Sequence, residues 1–390
     1  MKDTTNISPR DFIIRLGLVS LFADFTYEGS HAIVGLFLAQ LSVSPLLAGL
    51  IAGMGEMTSA IARLVSGHRV DKTRHYWRTM SVGYASNLLA IPLLATVTSV
   101  FPAALLIFAE RFGKGIRGPA RNVIIADAAE TLGAGRAFGL HARFDQLGAF
   151  LGPLAVAGIV ALSNYRWAFA FLLLPGILSL AMLYRAHAGA PTPQRHPTTA
   201  LTLRFSPLFF RYVLFGVFTI MGLMHFILLS YHLILTRTLA APWIPVFYAC
   251  AMAISGLVAT PAGLLFDRLG LKALYALPLL ILALNPLLFL TQSLVSLGVA
   301  AILWGTALGV QAGMLRAGLS PLMPASRRGA GYGLFDTATG LATLLGSATI
   351  GYLSPSPHHV LWFTSAVEFI AIALLASLTL SAKPGRSRTP

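Results

Sequence analysis

The first long apolar segment of the sequence carries polar and ionisable side chains that share one face of a helix. At about 100° per residue, Asp24, Tyr27, Glu28 and His31 lie within about 100° of one another. An ionised side chain at the centre of a lipid bilayer costs at least about 2.5 kcal/mol, so such groups face water or one another. Because removal from water favours the neutral form of a carboxylic acid, buried acids are suited to exchange protons. The pattern predicts proton coupling at Asp24 and Glu28, with a purely structural salt bridge as the alternative.

A third acid lies in the second apolar segment. Glu56 is near the middle of that segment and is a further candidate for proton coupling, whereas Arg63, seven residues on, is typical of a helix-end anchor. Tyr27 and His31 are predicted to contact a substrate or to balance charge beside these acids. For His31, an ordinary structural role is an equal alternative.

The fourth apolar segment is the most basic one. Its charged face holds Glu110, Arg111, Lys114, Arg117 and Arg121. Arg111, Lys114 and Arg117 are predicted to bind an anionic group of a substrate or to neutralise the acids. The Gly-Pro pair at 118 and 119 is predicted to end or kink the helix, because proline disfavours a helical residue before it. Such an end would place Arg121, and Arg117 with it, on the cytoplasmic side.

The second half of the chain offers fewer acids. His225 and His232 lie seven residues apart in the seventh apolar segment, and both are predicted to contact substrate, with a simple hydrogen bond to a neighbour as the alternative. In the fifth segment, His141 and Asp145 have the i, i+4 spacing of either a structural network or a transport site. Proton coupling is therefore expected in the first half.

The composition places the whole chain in a membrane. Of its 390 residues, 56% are hydrophobic and 11% are charged, whereas an ordinary soluble protein has about 25% charged residues. A net charge of +15 would suggest a nucleic-acid partner in a soluble protein, but membrane proteins concentrate Lys and Arg in cytoplasmic loops, so no nucleic acid is predicted. The single cysteine, Cys250, excludes an intrachain disulfide framework, and no motif indicates a metal or another cofactor.

Apolar runs between turn residues predict an all-α protein of twelve transmembrane helices. They are placed at 12–40, 45–67, 77–97, 100–118, 137–162, 166–185, 207–235, 243–265, 271–291, 294–316, 329–353 and 359–381. A polar, proline-rich stretch at 186–206 predicts a cytoplasmic linker between six-helix bundles at 1–185 and 207–390, the second ending in a basic tail. Basic residues collect in the loops on one side, while the opposite loops hold only Arg166 and Arg237, which predicts that both termini are cytoplasmic.

The two predicted bundles share an internal repeat. Asp71 and Asp267 follow similar segments, and Arg121 with Arg316 and Gly152 with Gly346 are displaced by nearly the same interval of about 195 residues. Duplicated halves of this kind occur in transporters whose substrate site lies near the bilayer midplane.

Four segments resemble the major facilitator superfamily, and the resemblance extends over essentially the whole chain. Gly67-x-x-x-Asp71-Lys72 resembles the family's loop signature, and Asp267-Arg268 is its second copy. Arg111-Phe-Gly-Lys-Gly115 is similar to an intramembrane Arg motif, and Gly148-x-x-x-Gly152-Pro153 to a helix-packing element associated with antiporters. Asp24-Phe-Thr-Tyr-Glu28, with Glu56, resembles a bacterial subgroup of mostly unassigned substrate, which implies a location in a bacterial inner membrane. The resemblance implies two pseudo-symmetric bundles that rock, with Gly67, Asp71, Lys72, Asp267 and Arg268 at a cytoplasmic gate.

Two departures from the family pattern bear on these expectations. The first loop copy reads Asp71-Lys-Thr-Arg-His75 and lacks the glycine that the second copy keeps at Gly270, so the first turn is expected to differ. Val156 and Ala157 replace glycines that often follow the antiporter element, which weakens the implication of export.

The leading hypothesis is a secondary transporter that moves a small organic solute by alternating access, coupled to protons. Its partners would be an amphipathic or anionic solute, protons and the lipid bilayer, and the transporter would be a monomer. Export is the favoured direction, and uptake of a metal chelate or another anionic solute is the alternative. A membrane-embedded enzyme acting on lipid would need a nucleophile beside an oriented base, and no spacing supplies one. A receptor that senses without transporting is a third possibility.

Overall fold

The computed structural model describes residues 8–188, 205–291, 293–323 and 328–381, and the regular structure in these ranges is helical. The helices of the first half are α1 (Pro9–Gln40), α2 (Pro45–Thr73), α3 (Tyr76–Leu93), α4 (Val100–Leu132), α5 (Ala134–Leu162), α6 (Tyr165–Phe171) and α7 (Leu173–Ala188). Those of the second half are α8 (Pro207–Gly222), α9 (Phe226–Leu235), α10 (Trp243–Leu269), α11 (Ala276–Phe289), α12 (Leu294–Val310), α13 (Arg316–Leu319), α14 (Arg328–Leu353) and α15 (Pro357–Ser381).

The all-helical prediction is confirmed, and every predicted span falls on helix. Within the described residues, seven segments are long and apolar enough to cross a membrane, and one of them, Trp243–Phe289, holds both α10 and α11. Helices α1, α3, α4 and α14 are not among the seven, and α1 and α4 have the most charges inside their apolar runs. The count of twelve spans stays a prediction. The linker at 186–206 falls largely outside the described residues, so the domain boundaries also stay a prediction.

Several helices start at a Ser-Pro pair. Ser8, Ser44 and Ser206 each accept a hydrogen bond from a backbone N–H of the first helical turn, and proline follows each of them as the first helical residue. A serine cap satisfies a donor that the helix itself leaves free, and proline at the first position has no N–H to leave unsatisfied. These local signals fix the starts of α1, α2 and α8.

The prediction that helix four ends near Pro119 is wrong, because α4 continues through this proline to Leu132. A neighbouring helix supports the backbone close to the proline: Ser66 on α2 donates a hydrogen bond from Oγ to the Ile116 carbonyl at 3.2 Å. Such contacts let membrane helices tolerate proline. Arg117 and Arg121 therefore lie within a continuous helix.

The loop signature is also helical in the structure. Helix α2 extends to Thr73 and α10 to Leu269, so Asp71 and Asp267 lie in last turns of helices and not in loops. The next residues, Arg74 and Gly270, have the same left-handed backbone with φ near 58°. The expectation that the first turn differs for lack of a glycine is thus wrong: Arg74 adopts the glycine conformation itself.

We expect Arg74→Gly to raise the free energy of unfolding by about 0.5–1 kcal/mol. The left-handed conformation costs a non-glycine residue about 1–2 kcal/mol, and the greater freedom of glycine in the unfolded chain offsets part of the gain. Thermal unfolding of the purified protein in detergent measures the change. The matched variant Gly270→Ala is expected to lower the melting temperature, and equal melting temperatures for all three proteins would contradict the explanation.

By their contacts the described helices form two units. Unit 1 contains α1–α7 together with residues 225–253, and unit 2 contains residues up to Met224 from α8 onward, together with the chain from Ile254. Within unit 1, α1 packs on α5, α7 and α9, and α4 packs on α2 and α3. Within unit 2, α8 packs on α14 and α15, and α11 packs on α12.

Glycines let the helices approach closely at equivalent places in the two units. In unit 1, Gly152 on α5 lies against the Phe25 carbonyl of α1, and in unit 2 Gly346 on α14 lies against the Met221 carbonyl of α8. Likewise, Gly115 on α4 faces the Ser59 carbonyl, and Gly309 on α12 faces the Ser255 carbonyl. The same interval of about 195 residues separates all these partners, so the sequence repeat is also a repeat of packing.

We expect Gly152→Ala to lower the free energy of unfolding by about 1–3 kcal/mol, because a methyl group would overlap the Phe25 backbone and overpack the α1–α5 contact. Gly158, in the same helix, has no atom within 4 Å of the place a Cβ would occupy, so Gly158→Ala is the matched control and should not destabilise. Thermal unfolding in detergent compares the two. Because alanine favours the helix over glycine, an equal destabilisation of both variants would contradict the packing explanation.

Candidate functional site

The guanidinium of Arg111 is the centre of a buried group of charges in unit 1. Arg111 lies on α4 and is 2% exposed. Its NH1 is 2.5 Å from Glu56 Oε1 on α2, and its Nε is 3.2 Å from Glu110 Oε2. NH1 also donates to the Tyr27 hydroxyl, and NH2 pairs with His31 Nδ1, both on α1. The guanidinium thus joins three helices, and most of its N–H groups are engaged.

Glu56 connects this group to the start of α9. His225 caps α9, accepting from the Ile227 N–H at Nδ1, and its Nε2 lies 3.3 Å from Glu56 Oε1. The ring of His225 packs edge-on against His31 at 5.0 Å between centroids. A helix predicted to run unbroken from 207 to 235 is therefore interrupted between Gly222 and Phe226, and the interruption brings His225 to Glu56.

Tyr27 and Glu28 each contact one further side chain. The Lys114 ammonium lies 3.3 Å from the centroid of the Tyr27 ring, a cation–π contact. The Tyr248 hydroxyl, near the start of α10, donates to Glu28 Oε2. We call these side chains the Arg111 cluster: Tyr27, Glu28, His31, Glu56, Glu110, Arg111, Lys114, His225 and Tyr248.

Asp24 binds a different arginine. Arg117 NH2 lies 3.3 Å from Asp24 Oδ1, and the Arg117 guanidinium stacks 4.4 Å from the centroid of the Tyr84 ring. Arg117 is 3% exposed, so it lies inside the helix bundle, and its position relative to the cytoplasmic side stays a prediction. Because α4 does not end at Pro119, Arg117 remains in the helix bundle, where a buried carboxylate and an aromatic face compensate its charge.

A second polar network lies one turn further along the same helices. His141 Nε2 is 2.9 Å from Ser20 Oγ, and His141 Nδ1 is 3.4 Å from Asp145 Oδ1. Arg121 NH1 lies 3.8 Å from Asp145 and 3.4 Å from Ser20 Oγ. In unit 2, Arg316, the repeat partner of Arg121, pairs with Asp336 at 3.0 Å. An Arg–Asp pair thus links the corresponding helices in each half.

A small cavity borders the Arg111 cluster. It is lined by Tyr27, Ser30, His31, Val34, Leu94, Ile107, Glu110, Arg111 and Ile227, and it has room for little more than a water molecule. This cavity is too small for an organic solute.

Other predicted site residues lie away from the cluster. Lys72, Asp267 and Arg268 are exposed at the ends of α2 and α10, and the side chain of Asp71 is outside the described part of the structure. Gly67 on α2 contacts Pro119 of α4. His232 is half-buried two turns along α9 from His225. Gly148 packs against α1, as Gly152 does, and Pro153 follows inside α5.

Two members of the cluster were missed as site residues. The sequence pattern places Glu110 on the charged face of its helix but predicts no role for it. In the structure, Glu110 accepts a hydrogen bond from Asn87 Nδ2 at 2.7 Å and pairs with Arg111. Its position beside an intramembrane arginine was an available signal. Tyr248 lies in an apolar run, where a tyrosine has no pattern that separates it from ordinary packing.

We expect Arg111→Met to lower the free energy of unfolding by about 3–5 kcal/mol, because Glu56 and Glu110 would lose their buried counter-charge. The double variant Arg111→Met, Glu56→Gln removes one of the stranded acids and should recover part of the loss. Both are measured by thermal unfolding in detergent at neutral pH. If the double variant is no more stable than the single one, the carboxylates do not depend on Arg111 in the way described.

Comparison with known sequences identifies similar transporters. The sequence model of a family described as the Major Facilitator Superfamily matches residues 16–260. A protein of Mycobacterium tuberculosis described as uncharacterized is 35% identical over 382 residues, which cover 95% of this chain and 92% of the relative. An uncharacterized MFS-type transporter of Methanocaldococcus jannaschii is 28% identical over 374 residues, covering 92% of this chain and 93% of that protein.

Comparison with solved structures gives the same fold. The crystal structure of an autoinhibited peptide transporter of the POT family aligns with a TM-score of 0.76 at 13% identity, covering 97% of this chain and 99% of that one. At this identity the likeness concerns the fold alone.

Proposed function

The chain belongs to the major facilitator superfamily, and from this premise we propose that it couples the passage of a small organic solute to protons by alternating access. Membership makes it a multi-pass membrane transporter of small molecules and not an enzyme. Proton coupling, the kind of solute and the direction of transport are the parts that we propose.

One observation carries the coupling proposal: four acids, Asp24, Glu28, Glu56 and Glu110, lie in the buried part of one unit with three cations, Arg111, Lys114 and Arg117. A guanidinium keeps its proton at any physiological pH. Protons are therefore exchanged at the carboxylates, and each protonation releases a cation or a hydrogen-bond partner from its acid. Charge changes in a low-dielectric site act strongly on packing.

Two of these acids support specific helix contacts. Glu56 on α2 meets His225 at the start of α9, and Glu28 on α1 accepts from Tyr248 on α10. In the predicted domain division, α9 and α10 belong to the C-terminal bundle and α1 and α2 to the N-terminal one. Protonation of Glu56 and Glu28 weakens these contacts because a neutral acid binds a charged or polar partner less strongly. In the proposed mechanism, this weakening accompanies the rocking of the bundles.

The balance of charges in the Arg111 cluster also indicates which charge the solute carries. Sequence favoured an amphipathic or anionic molecule bound by Arg111 and Lys114. Since Arg111 is already shared by Glu56, Glu110, Tyr27 and His31, an anion would have to displace a carboxylate from it. With acids in excess, the cluster suits a neutral or cationic amphipathic solute that competes with protons.

The proposal also includes the direction of transport, the membrane in which the protein lies and its oligomeric state. We favour export because of the element at Gly148–Pro153, a bacterial inner membrane with cytoplasmic termini because of the basic loops, and a monomer because each chain contains the whole cluster. The exposed residues Lys72, Asp267 and Arg268 serve the cytoplasmic gate in this scheme.

We expect Asp24→Asn, Glu28→Gln and Glu56→Gln to uncouple solute flux from an imposed pH gradient, because each replaces a titratable group by an isosteric neutral one. The assay uses proteoliposomes and a solute selected from neutral, cationic and anionic amphiphiles by thermal shift. In the parent, the gradient accelerates flux; in the triple variant, flux is expected to be the same with and without it.

The matched control is Asp11→Asn, an exposed acid at the start of α1, which should leave the gradient dependence intact. Flux in the triple variant that still follows the gradient as in the parent would refute proton coupling at these residues. Selection of an anion as the best solute would refute the charge argument but not the coupling.

A further inference from the structure

Unit 2 contains a buried acid without a counter-charge at the interruption after α8. Glu368 lies on α15 and is 0% exposed. Neither carboxylate oxygen has a hydrogen-bond partner, although both are buried among described residues. An ionised carboxylate in this position costs far more than a paired one, so the ionised form of Glu368 requires a neutralising partner.

The end of α8 lies against the same carboxylate. Gly222, the last residue of α8, packs directly against the Glu368 carboxylate, and any side chain at this position would collide with Glu368 Oε1. The final carbonyls of a helix have no partner within the helix and carry its partial negative charge. The place is therefore electronegative even apart from Glu368.

Two side chains complete the surroundings. Asn285 on α11 donates from Nδ2 to the Gly222 carbonyl at 3.3 Å, while its own Oδ1 is buried and has no partner. Trp304 on α12 donates from Nε1 to the Met224 carbonyl at 3.2 Å. The donors present thus serve backbone carbonyls, and three side-chain oxygens, from Glu368 and Asn285, are left with lone pairs and no donor.

We propose that Glu368, Asn285 and the end of α8 form a binding site for a monovalent cation, Na⁺. Hard cations take oxygen ligands, and the available groups are a carboxylate, an amide oxygen and helix-end carbonyls. A single carboxylate balances one positive charge, whereas Ca²⁺ and Mg²⁺ sites generally use more acids or keep several waters. Interrupted membrane helices in transporters commonly present such carbonyls to Na⁺ or protons.

This site is separate from the Arg111 cluster, since none of its residues belongs to unit 1. The proposal therefore stands or falls independently of proton coupling at Glu28 and Glu56. A cation bound here holds α8, α11 and α15 together, because the groups it contacts come from all three helices.

The direct test measures binding of ²²Na⁺ to the purified full chain in detergent, with thermal unfolding in NaCl, KCl and N-methylglucamine chloride at equal ionic strength. The parent is expected to bind ²²Na⁺ saturably and to melt at a higher temperature in Na⁺ than in the other two salts. Removing the one anionic ligand in Glu368→Gln is expected to weaken Na⁺ binding by about tenfold or more.

Asp11→Asn is the control, because Asp11 is an exposed acid that belongs neither to this site nor to the predicted gate, and its loss should leave Na⁺ binding unchanged. Absence of saturable ²²Na⁺ binding to the parent overturns the proposal whether or not the variant folds. So does equal binding by Glu368→Gln. A third result would also overturn the proposal: low pH stabilises the parent in the absence of Na⁺, and Glu368→Gln gives the same stabilisation without Na⁺. Glu368 would then be a neutral acid.

Discussion

The pairing of Arg111 with Glu56 and Glu110 is the interaction around which the first unit is arranged. In a protein whose surface is largely covered by lipid, a charge inside a helix bundle is tolerated when another charge or a dense set of hydrogen bonds compensates it. Arg111 meets this condition through α1, α2 and its own helix, and His225 extends the group to α9. The positions of these helices are thus tied to the charge state of a few carboxylates, which is the physical requirement for coupling protons to movement.

Close packing of backbones makes this arrangement possible. Short side chains such as those of Asp24 and Glu56 reach their partners only because the helices that carry them lie very near α4 and one another. Gly115 permits the approach of α4 to α2, and Gly152 permits that of α5 to α1. The glycine contacts and the charge contacts therefore depend on each other. The glycines set the distance between the helices, and at that distance the charged side chains reach one another, so the protonation of an acid affects the helix contacts.

Sequence predicted the helical class, the repeat and most of the cluster, because hydropathy, spacing and helix periodicity determine which residues share a face. It placed Asp24, Glu28, Glu56, Arg111 and Lys114 as interior charges but did not give their pairing, which depends on how helices distant in sequence are brought together. The fourth helix was predicted to end too early because Pro119 was judged by its effect on an isolated helix, whereas Ser66 of a neighbouring helix supports the backbone near this proline. The interruption before His225 was missed because apolar residues continue across it without a proline. The turn after α2 was predicted to differ from its second copy because it lacks a glycine, but Arg74 adopts the left-handed conformation that glycine favours.

The charges around the buried acids differ between the two units, and the difference has a physical consequence. In unit 1, carboxylates are balanced by fixed cations, so the protein itself supplies the compensating charge and a proton competes with an arginine or lysine. In unit 2, Glu368 has no such partner among the described residues and lies against Gly222 at the end of α8. The Na⁺ that we propose for this site would come from the aqueous phase. A mobile cation satisfies the same electrostatic condition and makes occupancy depend on the ion concentration at the membrane surface, which a fixed arginine cannot sense.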